Sequence, residues 1–88
     1  MTKKYSLVTG STAGIGLDIA KELAARGHNV LLTARREDRL KEISAQLIQE
    51  YGVHADYVVS DLSEFSAPEA IFNFCSSNNY EVDILVNN

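Results

Sequence analysis

Short apolar runs alternate with amphipathic stretches along this chain, and the alternation predicts its elements. Tyr5-Ser6-Leu7-Val8-Thr9 is a compact run ending at Gly10 and reads as a buried strand. Beyond Gly14 the period changes: Ile15, Ile19 and Leu23 fall four residues apart, with Ala20 and Ala24 beside them, while Asp18, Lys21, Glu22 and Arg26 take other faces. That pattern is an amphipathic helix, and Gly27 stands where a left-handed C-terminal cap is wanted. Val30-Leu31-Leu32-Thr33-Ala34 is a second strand.

Glu37 and Asp38 sit where a helix N-terminus favours acids, and Leu40, Ile43, Leu47 and Tyr51 follow at spacings of three and four before Gly52 marks the stop. A third strand, Ala55-Asp56-Tyr57-Val58-Val59, ends at Ser60-Asp61. Ser66-Ala67-Pro68-Glu69 has the shape of a capping box with proline in the first turn, ahead of Ile71, Phe72 and Cys75. The last run, Val82-Asp83-Ile84-Leu85-Val86, is a fourth strand, apolar at three successive positions like a strand flanked by others. Strands alternating with helices imply an α/β fold: a parallel sheet with right-handed crossovers and helices on both faces.

Composition adds bounds. Eighty-eight residues make one small domain, and a chain of this size buries only about 60–65% of the surface its unfolded form exposes. Hydrophobic residues at 45% and charged residues at 23% exclude a disordered or fibrous chain. Eight Lys and Arg against twelve Asp and Glu leave a formal charge of −4, which argues against a nucleic-acid partner. The lone Cys75 permits no intrachain disulfide and fits a reducing, cytoplasmic setting; beside Ile71, Phe72 and Phe74 it reads as a packed core thiol. The apolar stretch after Met1 to Lys4 stops at Thr9-Gly10, too short for a secretory leader or a membrane span. His28, beside a helix cap, and His54, at a strand start, read as structural or solvated.

The chemistry is concentrated in the turn after the first strand, Thr9-Gly10-Ser11-Thr12-Ala13-Gly14-Ile15-Gly16. Gly10 lets the chain turn off the strand, Gly14 lets backbone approach a pyrophosphate, and Gly16 lets the helix pack on the sheet. The N–H groups and positive dipole end of the helix then suit an anion. No Gly-Lys-Ser/Thr follows, so the turn is not a P-loop.

The form Thr-Gly-x-x-x-Gly-Ile-Gly resembles the short-chain dehydrogenase/reductase family, whose fold is a Rossmann-type doubly wound parallel sheet binding NAD or NADP. The likeness extends further: Asp61-Leu62 resembles the family's adenine-binding acidic position, and Val86-Asn87-Asn88 looks like the start of its Asn-Asn-Ala-Gly motif. The resemblance implies strand order 3-2-1-4 with three helices, and makes residues 1–88 the N-terminal part of one such domain, cut within that motif. It also implies cofactor contacts from Gly10, Ser11, Thr12, Ala13, Gly14, Ile15, Gly16, Asp61 and Leu62, with Asn88 near the adenine-side ribose and Asn87 tying strands together.

About 20 positions beyond the glycines, a NAD site carries an acid that bonds the ribose 2′-hydroxyl. Counting through the second strand lands instead on Ala34-Arg35-Arg36. An arginine pairs bidentately with a 2′-phosphate that an acid would repel. Arg35, with Arg36 behind it, therefore points to NADP(H) rather than NAD, and Ser11 and Thr12 add hydroxyl donors nearby. The alternative is that both arginines are solvated and pair with Glu37 or Asp38.

In the family, chemistry rests on a tyrosine acid/base, a lysine four residues later and a serine. None of the four tyrosines here has that lysine: Tyr5 is followed by Thr9, Tyr51 by Ala55, Tyr57 by Asp61 and Tyr80 by Ile84. The resemblance places the catalytic residues downstream and implies a small-molecule alcohol or carbonyl substrate and a homo-oligomer for the full-length enzyme. Two other readings stand beside it: a dinucleotide-binding module without chemistry, and a structural fragment needing a partner chain.

Overall fold

A computed structural model describes residues 3–10, 14–60 and 67–86. Four strands and three helices alternate: β1 (Lys3–Thr9), α1 (Gly14–Ala25), β2 (Val30–Ala34), α2 (Glu37–Tyr51), β3 (Ala55–Val59), α3 (Ala67–Asn78) and β4 (Tyr80–Val86). All pairings are parallel and the strand order is β3-β2-β1-β4. This is the expected parallel sheet of order 3-2-1-4 with three helices.

Each inner strand presents alternate residues to opposite faces, and each face has its own helices. On one side Val8, Val30 and Leu32 pack with Ala20 and Ala24 of α1 and with Leu40, Ile43 and Leu47 of α2. On the other, Tyr5, Leu7 and Leu31 pack with Ile71 and Cys75 of α3. Cys75 is thus the core thiol expected, and burial pushes its pKa up.

The helix stops follow the glycines. Gly27 adopts φ 88°, its N–H bonds the Ala24 carbonyl at 3.0 Å and the His28 N–H bonds the Leu23 carbonyl at 3.0 Å, a Schellman pair. Gly52 at φ 70° closes α2 by donating to the Ile48 carbonyl.

Two expectations require correction. The apolar ridge Ile15, Ile19, Leu23 does not lead the packing of α1: Ile15 is 69% exposed, and the buried line is Gly16, Ala20 and Ala24. Small side chains let the helix lie close to the sheet, and the larger Leu17 and Leu23 fill the margins of that contact. β1 and β4 also start earlier than their apolar runs, because Lys3 and Lys4 pair with Tyr80 and Glu81. The ladder then slips, Tyr5 facing Val82 and Ser6 facing Ile84, so Asp83 is the extra residue of a bulge.

At the N-terminal end of the sheet the Asn29 carboxamide spans β2. Its Nδ2 donates to the Lys4 carbonyl at 3.2 Å, and its Oδ1 accepts the His54 N–H at 3.0 Å. Among the described residues no helix is long and apolar enough to cross a membrane.

Candidate dinucleotide site at the strand ends

Open parallel sheets bind ligands beyond the carboxyl ends of their strands, where the order reverses. Here that point lies between β1, which sends its helix to one face, and β4, which follows the helix on the other. Gly10 leaves β1 with φ 61°, and its N–H donates to the Thr33 carbonyl at 3.0 Å. Thr9 pairs with Thr33, so Gly10 and Ala34, the last residue of β2, stand at one level, with Arg35 next in chain. The Thr9 hydroxyl donates to the Val86 carbonyl at 3.3 Å and so holds the end of β4 beside this turn.

α1 opens at Gly14, whose φ is 62°. A Cβ built there would meet nothing within 4 Å. Ile15 beside it is exposed, and Gly16 is buried. Of the residues proposed from sequence, Gly10, Gly14, Ile15 and Gly16 thus meet at one end of the sheet, together with the β2 end that carries Arg35 and Arg36. Ser11, Thr12, Ala13, Asp61, Leu62, Asn87 and Asn88 lie outside the described residues.

The two arginines have different surroundings. Arg36 donates through Nη2 to Asp38 Oδ2 at 3.1 Å. That bond holds the Asp38 carboxyl below its ordinary range. Arg35 is exposed and forms no ion pair among the described residues. A guanidinium without a carboxylate partner, beside a glycine turn and a helix N-terminus, is a receptive place for a phosphate. One participant carried no sequence signal: Tyr57, whose hydroxyl donates to Glu37 Oε2 at 3.4 Å just behind the arginines. Its contact joins residues 20 apart, and no local spacing announces it.

Known proteins are similar to this chain in sequence and fold. The chain is 39% identical over 85 residues to the fatty acyl-CoA reductase of Acinetobacter baylyi, covering 97% of this chain and 28% of that protein. It is 42% identical over 86 residues to the D-beta-hydroxybutyrate dehydrogenase of Cupriavidus necator, covering 97% and 33%. The chain therefore spans about a third or less of these relatives. Among solved structures, the L-sorbose reductase of Gluconobacter frateurii, complexed with NADPH and L-sorbose, superposes with a TM-score of 0.91 at 37% identity, covering 99% of this chain and 33% of that one. The alcohol dehydrogenase of Thermococcus sibiricus, complexed with 5-hydroxy-NADP, gives a TM-score of 0.82 at 34% identity, covering 97% and 36%. The family model described as short chain dehydrogenase matches residues 4–88. Because that match runs through every strand and helix and not merely through the glycine turn, this chain belongs to the short chain dehydrogenase family.

Proposed function

We propose that this chain is the NADP(H)-binding, N-terminal part of a single Rossmann domain, in an oxidoreductase acting between an alcohol and a carbonyl. The observation that carries the reading is Arg35: exposed, unpaired among the described residues, and placed at the end of β2 where an acid would select NAD. The NADPH and 5-hydroxy-NADP complexes of the two structural relatives support the same nucleotide. The residues also suit its anionic groups, since a Cβ at Gly14 would meet nothing within 4 Å and the glycine turn opens a helix N-terminus.

In this reading the turn from Gly10 through Ser11, Thr12 and Ala13 to Gly14, Ile15 and Gly16 takes the pyrophosphate. Arg35 takes the 2′-phosphate, with Arg36 behind it. Asp61 and Leu62 hold the adenine, and Asn88 lies near the ribose. When bound, the nicotinamide supplies or accepts the hydride. This chain's part is to bind and orient the nucleotide, while the acid/base residues and the substrate pocket belong to a later portion. The exposed Val82 and Leu85 of the edge strand β4, at 38% and 64%, support a sheet that continues past it. In its complete form the enzyme acts on a small molecule and assembles as a homo-oligomer.

Titration calorimetry with NADPH and NADH on Arg35→Asp tests the assignment. The substitution removes a charge-assisted pair of roughly 1.5–3 kcal/mol and adds repulsion, so preference moves toward NADH. Unchanged discrimination would refute the role given to Arg35. The competing reading, dinucleotide binding without chemistry, draws on the lack of any Tyr-x-x-x-Lys in these 88 residues. NADPH-dependent turnover of carbonyl compounds by the whole protein carrying this chain separates the two.

A further inference from the structure

Arg35 is followed at once by Arg36, Glu37 and Asp38, so two carboxylates stand within three residues of the guanidinium assigned to the 2′-phosphate. A carboxylate turned toward that position would repel the phosphate and compete for the arginine. In the structure both acids are engaged elsewhere. Asp38 accepts from Arg36, and Glu37 accepts from the Tyr57 hydroxyl across the gap between α2 and β3. Tyr57 pairs with Leu32, two residues below the Ala34–Val59 pair that ends this ladder. Its phenol therefore ties the Glu37 carboxylate to β3. Burial first, and then the Glu37 and Asp56 charges, push the phenol above its ordinary range, so it keeps its proton and remains a donor.

We propose that Tyr57 is a positioning residue for nucleotide selectivity, which holds Glu37 against β3 and so leaves Arg35 free for the 2′-phosphate. This rests on the assignment of Arg35 made above. Tyr57 acts only through the charge of Glu37.

The test is titration calorimetry with NADPH and with NADH on the whole protein carrying this chain. It compares the parent with Arg35→Ala, Tyr57→Phe, Glu37→Gln and the Tyr57→Phe/Glu37→Gln double variant. Tyr57→Phe should weaken NADPH binding about two- to fivefold, the effect of one screened charge moving a few ångströms, with NADH binding unchanged. In the Glu37→Gln background the Tyr57 substitution should change neither nucleotide. An equal loss for both nucleotides, or a loss that persists in the Glu37→Gln background, marks a merely structural role and overturns the proposal. So does an unaltered NADPH affinity in Tyr57→Phe when Arg35→Ala has lowered it. If Arg35→Ala leaves NADPH binding intact, the assignment of Arg35 falls and the role of Tyr57 falls with it.

Discussion

The Tyr80 hydroxyl donates to Asp56 Oδ2 at 2.7 Å, linking β4 to β3, the two edges of the sheet, across the face that α3 covers. Tyr80 reaches that far because its ring stacks on Tyr5 of the central β1, centroids 4.2 Å apart, and meets Phe74 edge-on at 5.9 Å. The stack and the hydrogen bond together tie α3, both edges and the centre of the sheet at one end.

Tyr80→Phe keeps the stack and deletes the donor, leaving a half-buried carboxylate short of one partner. A loss of about 1–2 kcal/mol is expected, read from urea unfolding. The loss has a pH signature. Desolvation, and then the bond to Asp56, raise the Tyr80 pKa well above its unfolded value near 10. A raised phenol pKa means that the folded state holds its proton more tightly, so the stabilisation is full below pH 10 and is lost as pH rises above it. The parent and Tyr80→Phe should therefore converge in stability above pH 10. A constant gap across that range would contradict this account.

Thr33 is fully buried in β2, and its Oγ1 has no hydrogen-bond partner among the described residues. Valine has the same branched shape without the hydroxyl. Thr33→Val should raise stability by about 1 kcal/mol, shifting the urea midpoint with no change in slope.

Gly52 and Gly14 share a left-handed backbone, at φ 70° and 62°, and open space where a Cβ would stand. Alanine at either costs only backbone strain, about 1–2 kcal/mol. If Gly14 borders the nucleotide, Gly14→Ala also weakens NADPH binding, while Gly52→Ala leaves it untouched. Paired thermal unfolding and calorimetry separate the two effects.

Leu85 on β4 is 64% exposed in this chain. Leu85→Lys should shift the stability of the 88-residue chain by no more than about 0.5 kcal/mol. In a whole protein whose sheet continues past β4, the same change buries a charge and costs several kcal/mol. Equal small effects in both would count against a sheet that extends there.

Most of the fold was legible because the chain punctuates itself. Gly27 and Gly52 sit where the period of the helices breaks, and both take the left-handed cap that breaking requires. The face of α1 was not legible, since Ile15-Ile19-Leu23 and Gly16-Ala20-Ala24 repeat with the same spacing. Size favours the first line and closeness of approach the second, and closeness is set by the sheet. The first residues of β1 and β4 escaped for a similar reason: Lys3 and Tyr80 are strand because each lies opposite the other, 77 positions away. At the site, spacing singled out the glycine turn and Arg35, and the fold brings Gly10 and the end of β2 to one level. The division between Arg36, tied to Asp38, and Arg35, left open, was not legible from spacing. Nor was Tyr57, nor, at the opposite end of the sheet, Asn29; their contacts join elements 20 or more residues apart.

The central position of β1 has a consequence for the birth of the molecule. Ser6 to Thr9 pair with β2, made soon after, and Lys3 to Val8 pair with β4, whose first residue is the eightieth. At ordinary elongation rates of about 5–20 residues per second, one side of β1 waits roughly 4–14 s on the ribosome for the strand that covers it. Through that interval β1, α1, β2, α2 and β3 can assemble as a unit with a bare backbone edge. Docking of β4 closes by far the longest loop in the sheet, so it is the step expected to set the folding rate and the interval in which an emerging chain is most open to pairing with a stranger.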